Sequence, residues 1–81
     1  MYIVYIVECG DGTFYTGITT DIVRRFREHA EGKGGKYTRA KKVIRILYTE
    51  TRPNKSSALK REIAIKKMNR KNKIKLIKSN Y

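Results

Sequence analysis

The apolar positions of this chain come first in alternating runs and later at helical spacing. Tyr2 to Cys9 is rich in β-branched and aromatic residues and predicts a strand. Gly10-Asp11-Gly12 is a turn signal, and Thr13 to Thr19 predicts the returning strand of a β-hairpin. Two registers are open. A two-residue loop at Asp11-Gly12 pairs Val7 with Thr16 and leaves Tyr5 and Tyr15 on opposite faces. A three-residue loop, Gly10 to Gly12, pairs Val7 with Tyr15 and Tyr5 with Gly17, and puts Tyr5, Tyr15 and Gly17 on one face. In that register Gly17 would leave open space over the sheet.

Beyond the hairpin the period changes. Ile22, Val23, Phe26 and Ala30 fall within one arc of about 100°, which predicts an amphipathic helix over roughly 21–31, capped by Thr20 or Asp21 and stopped by Gly32. Gly32-Lys33-Gly34-Gly35 reads as a basic loop. Val43 to Thr51 predicts a third strand, which Pro53 ends. Asn54 to Ser57 offers caps for a helix over about 56–69, and Ile74, Ile77 and Tyr81 predict a last helix over roughly 71–79. The expected order is β-β-α-β-α-α. This is an α/β fold of the α+β type, a three-stranded antiparallel sheet flanked by helices in a single domain over residues 1–81.

Composition narrows the classes. Hydrophobic residues make up 40% of the 81, enough for a core and too many for a disordered polycation. No apolar run approaches the ~18 residues of a membrane span, and the first residues lack the basic start of a signal peptide. A cytoplasmic protein is expected, with no membrane partner. One cysteine, Cys9, and one histidine, His29, exclude a disulfide framework and a zinc site built from these ligands. Cys9 reads as a small core filler.

Charge changes the picture most. Lys and Arg total 20 against 7 acids, a net charge of +13, and every basic residue lies after Thr20. One cluster spans Arg24 to Lys42 and a second spans Lys60 to Lys78. Such surfaces attract phosphate backbones through counterion release, so nucleic acid is the expected partner. Oligomeric state stays open.

A few residues break the local rules. Glu62 lies about 40° from Ala58 on the second helix, inside an apolar arc drawn by Ala58, Leu59, Ile63 and Ile65. An unpaired carboxylate there is costly, so either an i,i+4 ion pair to Lys66 or a hard divalent cation should compensate it. His29 lies on the margin of the first helix's apolar face, with Arg25 next to it at i,i+4. An always-charged phosphate binder and a side chain that titrates near neutrality thus share one edge.

Taken together, these residues resemble the GIY-YIG nuclease domain, and most closely its small stand-alone bacterial members. The first motif stands as Ile3-Val4-Tyr5 and the second as Tyr15-Thr16-Gly17. The helix carrying Arg25 and His29 follows, and Ala58-Leu59-Lys60-Arg61-Glu62 resembles the family's metal-binding segment. The first motif has no glycine, Thr16 replaces an isoleucine, and neither Asn69 nor Asn72 clearly matches the family's asparagine.

The resemblance implies a metal-dependent endonuclease that hydrolyses phosphodiester bonds in nucleic acid, DNA before RNA, in repair or recombination. It implies Tyr5, Tyr15, Arg25, His29 and Glu62 as catalytic residues, with Glu62 holding one Mg²⁺ or Mn²⁺. Tyr5 would take a proton from water, directly or by relay. A phenol near pKa ~10 is a poor base at pH 7 unless the metal, Arg25 or neighbouring lysines depress it. His29 is then either a relay or the effective base, with Tyr15 orienting the water or phosphate. Gly17 would let the substrate approach, and Lys33, Lys36, Arg39, Lys41 and Lys66 would contact its backbone. The alternative is a non-catalytic nucleic-acid-binding module on the same scaffold. A basic ribosome-associated protein would account for the charge but not for Glu62.

Overall fold

The computed structural model describes residues 1–33 and 41–79. Three strands, β1 (Tyr2–Cys9), β2 (Phe14–Thr19) and β3 (Val43–Arg52), form an antiparallel sheet in the order β2-β1-β3. Three helices, α1 (Ile22–Ala30), α2 (Lys55–Lys66) and α3 (Arg70–Lys78), complete the order β-β-α-β-α-α. The predicted fold class and element order are those observed, with β1 at its predicted bounds and the other boundaries within three residues of theirs.

The hairpin takes the three-residue loop. The Gly12 N–H donates to the Cys9 carbonyl at 2.9 Å, and the Cys9 N–H donates to the Thr13 carbonyl at 2.8 Å. Gly12 sits at φ +83°, a left-handed position that a side chain would strain. This turn sets the pairing of Val7 with Tyr15 and of Tyr5 with Gly17. Because side chains alternate, Tyr5, Tyr15 and Gly17 share one face and Val4, Ile6, Phe14 and Ile18 share the other.

The second face carries the main core. Val4, Ile6 and Tyr48 pack against Ala58 and Ile65 of α2 and Ile77 of α3, with Phe14, Ile18, Leu47, Met68 and Leu76 around them. Cys9 is fully buried, in keeping with a core filler. Leu59 and Ile63, expected in the apolar arc, are 39% and 52% exposed. The buried stripe of α2 is narrower than its apolar residues suggested. Among the described residues it runs through Ala58 and Ile65, the side that faces the sheet.

Capping explains the helix ends. The Asp21 side chain accepts from the Arg24 N–H at 3.0 Å, so Asp21, not Thr20, caps α1. Asn54 caps α2 through the Ser57 N–H, and Asn69 caps α3 through the Asn72 N–H. Asn69 therefore closes the gap between two helices, and α2 stops at Lys66 rather than 69. β3 is an edge strand with register irregularities opposite Ile6/Val7 and Glu8/Cys9, a device that discourages pairing with another chain.

Candidate active site

On the face opposite the main core, α1 brings His29 down onto the hairpin. Its ring is buried, 1% exposed, although the helical wheel put it only at the margin of the apolar face. Three rings meet there. The Tyr5 and Tyr15 centroids lie 6.4 Å apart, Tyr5 and His29 5.9 Å, and Tyr15 and His29 5.5 Å in an edge-on arrangement. The Tyr5 hydroxyl lies 2.9 Å from His29 Nε2.

Arg25, one turn before His29, also reaches the Tyr5 hydroxyl. Its Nη1 donates to Glu28 Oε1 at 3.3 Å. A guanidinium can only donate. The phenol oxygen therefore accepts from Arg25, and in the neutral tautomer that carries its proton on Nδ1, His29 Nε2 accepts the phenol proton.

The electrostatics agree. Burial and then the Arg25 charge push the His29 pKa down, with Glu28 opposing weakly, so the ring is neutral at pH 7. Burial pushes the Tyr5 phenol up. The Arg25 hydrogen bond opposes this, and Tyr15 and Glu62 add to it. Of the influences that could have depressed the Tyr5 phenol, the Arg25 hydrogen bond and charge are present, but burial outweighs them and Tyr5 stays a phenol.

Gly17 also departs from expectation. A Cβ there would lie 2.5 Å from Tyr5 Oη and 2.7 Å from its Cζ. The space over Gly17 is not open to a substrate, because the Tyr5 ring occupies it. The glycine lets the phenol lie flat across β2.

Glu62 stands further out. α2 packs nearest β2, and from there the Glu62 charge is felt at the Tyr5 hydroxyl. Its side chain is 17% exposed and pairs with Lys66 at 3.6 Å, the i,i+4 ion pair that was one of the two expected compensations. One half-buried carboxylate with a loose monodentate partner suits a hard divalent ion, which keeps several waters and takes one or two carboxylates plus substrate oxygens. Among the described residues no group of three or more His, Cys, Asp or Glu gathers as a fuller metal cage.

The loop cations are mostly engaged or outside view. Lys41 pairs with Asp11 at 2.6 Å and Lys33 with Glu31 at 3.6 Å. Lys36 and Arg39 lie outside the described residues. Glu28 was missed by sequence reasoning. Its signal was present as the i,i+3 spacing from Arg25, which allows a carboxylate to hold the guanidinium in place.

A fold of this topology, with two hairpin tyrosines stacked against the Arg/His helix, defines a class. The chain belongs to the GIY-YIG catalytic domain family, whose model matches residues 1–75, and GIY-YIG domains are a nuclease family. Among its relatives are UPF0213 proteins. One from Cupriavidus pinatubonensis is 53% identical over 70 residues, covering 86% of this chain and 78% of that protein. Another, from Halobacterium salinarum, is 48% identical over 73 residues, covering 90% and 95%. The solution NMR structure of the UPF0213 protein BH0048 from Bacillus halodurans matches with a TM-score of 0.61 and 44% identity, over 96% of this chain and 84% of that one. No helix among the described residues is long and apolar enough to cross a membrane.

Proposed function

We propose that this chain is a metal-dependent endonuclease that hydrolyses phosphodiester bonds in nucleic acid, DNA before RNA. The observation that carries the reading is the Tyr5 hydroxyl, held between the Arg25 guanidinium and His29 Nε2. A phenol so placed can take a proton from water on one side while it gives its own to a neutral imidazole on the other.

In this mechanism Arg25 clamps the scissile phosphate and stabilises the charge that builds on it. Tyr15 orients the phosphate or the water. The water oxygen bonds to phosphorus as the bond to the leaving oxygen breaks. The water proton passes to the Tyr5 oxygen while the phenol proton passes to His29 Nε2, so one proton ends on the imidazole. Glu62 would hold Mg²⁺ or Mn²⁺, which supplies charge neutralisation at the phosphate and leaving oxygens. Lys33, Lys36, Arg39, Lys41 and Lys66 would follow the backbone without reading bases.

The pH dependence separates the two candidate bases. His29 acts as base only when neutral, and its pKa is lowered from the ordinary 6.5. Activity should therefore rise as pH increases through a midpoint below 6.5 and be near its plateau by pH 7. Were Tyr5 itself the ionised base, its raised pKa would make activity climb past pH 10. A kcat/KM profile from pH 5 to 10 in Mg²⁺ decides between them.

Arg25→Ala should lower turnover by at least about 10²-fold, the scale of losing one donor to a developing oxyanion. Glu28→Ala, which only frees the guanidinium, should cost less. Equal rates for wild type and Arg25→Ala in a clean preparation would remove Arg25 from the mechanism.

The Lys66–Glu62 ion pair favours a second reading, a binding module with the nuclease scaffold kept and the metal site closed. Incubation with plasmid and branched DNA in Mn²⁺ or EDTA distinguishes the two. Nicking that needs Mn²⁺ supports the enzyme, and salt-sensitive binding without nicking supports the module.

A further inference from the structure

A cavity of about 560 Å³, whose lining includes none of Tyr5, Tyr15, Arg25 and His29, opens between the end of β3 and α2 and is lined by Arg52, Asn54, Ser56, Ser57, Lys60, Arg61 and Ala64. Three of these side chains are cationic, three are small and polar, and none is acidic. The only apolar one is Ala64. Such a lining sets three cationic heads on their aliphatic stems with no carboxylate to repel an anion.

Two of the cations are held in advance. Behind the cavity, Glu50 receives Arg61 Nε at 3.0 Å and Arg52 Nε at 2.8 Å, with the Tyr48 hydroxyl donating to it at 2.6 Å. The Glu50 side chain is 16% exposed and lies outside the lining. One carboxylate is thus shared between two guanidiniums, which leaves a net positive charge at the rim before Lys60 is added. Glu50 takes only some of the five N–H donors on each arginine, so donors remain for a ligand. Ordering of both long side chains is already spent in folding, and this lowers the entropy cost of binding an anion.

The cavity also has a definite place relative to Glu62. At about 100° per residue, Ser57, Lys60, Arg61 and Ala64 centre on the flank of α2 roughly opposite Glu62. One helix therefore separates the candidate catalytic carboxylate from a cationic cleft.

We propose that this cleft is a second phosphodiester-binding site, which holds nucleic-acid backbone remote from the scissile phosphate, with Arg52, Arg61 and Lys60 as its ligands. It rests on the nuclease reading only for the identity of the polyanion. Backbone held on both flanks of α2 would favour a substrate that bends or branches around the helix over a straight duplex end.

The test uses the full chain with Glu62→Gln as background, so that binding is read without cleavage. A labelled DNA duplex of 30 base pairs is titrated by fluorescence anisotropy from 50 to 200 mM NaCl. Arg52→Gln with Lys60→Gln should weaken binding and lower the slope of log K against log[salt] by about 2, near 0.9 for each lost phosphate contact. The same two charges removed from α3, by Lys71→Gln with Lys75→Gln, set the diffuse-charge baseline and should lower it less. Lys60→Glu alone, on an exposed position clear of Glu50, serves if the Arg52 variant does not fold. An unchanged slope, or one lowered equally by the α3 pair, overturns the proposal. Wild-type cleavage in Mn²⁺ is measured alongside. Cleavage with an unchanged slope sinks this site and leaves the nuclease reading intact. A lowered slope without wild-type cleavage does the reverse.

Discussion

Glu62→Gln should abolish metal-dependent cleavage, by at least about 10³-fold, because the several kcal/mol that a bound ion contributes to a phosphoryl transition state would be lost with its anchor. The substitution keeps shape and removes one charge. Its effect on folding should be small, since the lost Lys66 partner is half exposed and such pairs contribute only about 0–1 kcal/mol. Binding to DNA should be unchanged or tighter, because a negative charge has been taken from a surface that meets a polyanion. The diagnostic is therefore a split: cleavage gone, affinity kept. Cleavage by Glu62→Gln at the wild-type rate would remove the carboxylate from the chemistry. Loss of binding in proportion to cleavage would show that Glu62 supports the fold instead.

The second large effect is expected from Gly17→Ala, a change of one methyl group. The new Cβ would overlap Tyr5 Oη and Cζ, and Tyr5 is 1% exposed on the central strand, so its ring cannot move aside without displacing its neighbours. Overpacking of this kind costs about 1–3 kcal/mol of stability. The functional cost should be larger in proportion. A shift of about 1 Å in a reacting group can cost about 10²-fold in rate, and here the displaced atom is the hydroxyl shared by Arg25 and His29. Urea denaturation and kcat measured on the same preparations separate the two losses. Adding Tyr5→Phe to Gly17→Ala removes the nearest overlapping atom, so stability should partly recover while activity does not. Full activity in Gly17→Ala would mean that the exact seat of the phenol does not set turnover.

Much of the architecture was legible along the chain because its causes are local. Strand and helix periods, the Gly10–Gly12 turn signal and the Asp21 and Asn54 caps act over a few residues, and they appeared where the composition placed them. Legibility failed where a neighbour distant in sequence decides the outcome. Leu59 and Ile63 carry the right period to be buried, yet no element among the described residues covers them fully. His29 sat at the margin of a helical face and is buried because α1 crosses the hairpin tyrosines. Asn69, one of two residues considered for the active site, spends its side chain on the cap of α3.

The residue types that could hold a phosphate, move a proton or anchor an ion were present in the linear chain, and so was the register choice that could align Tyr5 with Tyr15. Three-dimensional packing settled which of them meet. It chose the three-residue turn, filled the space over Gly17 with the Tyr5 ring, and set the phenol between a guanidinium and a neutral imidazole. The division has one physical origin. Periodicity and capping are properties of a segment and its own hydrogen bonds, whereas burial, proton affinity and close approach depend on which surfaces other segments exclude from water.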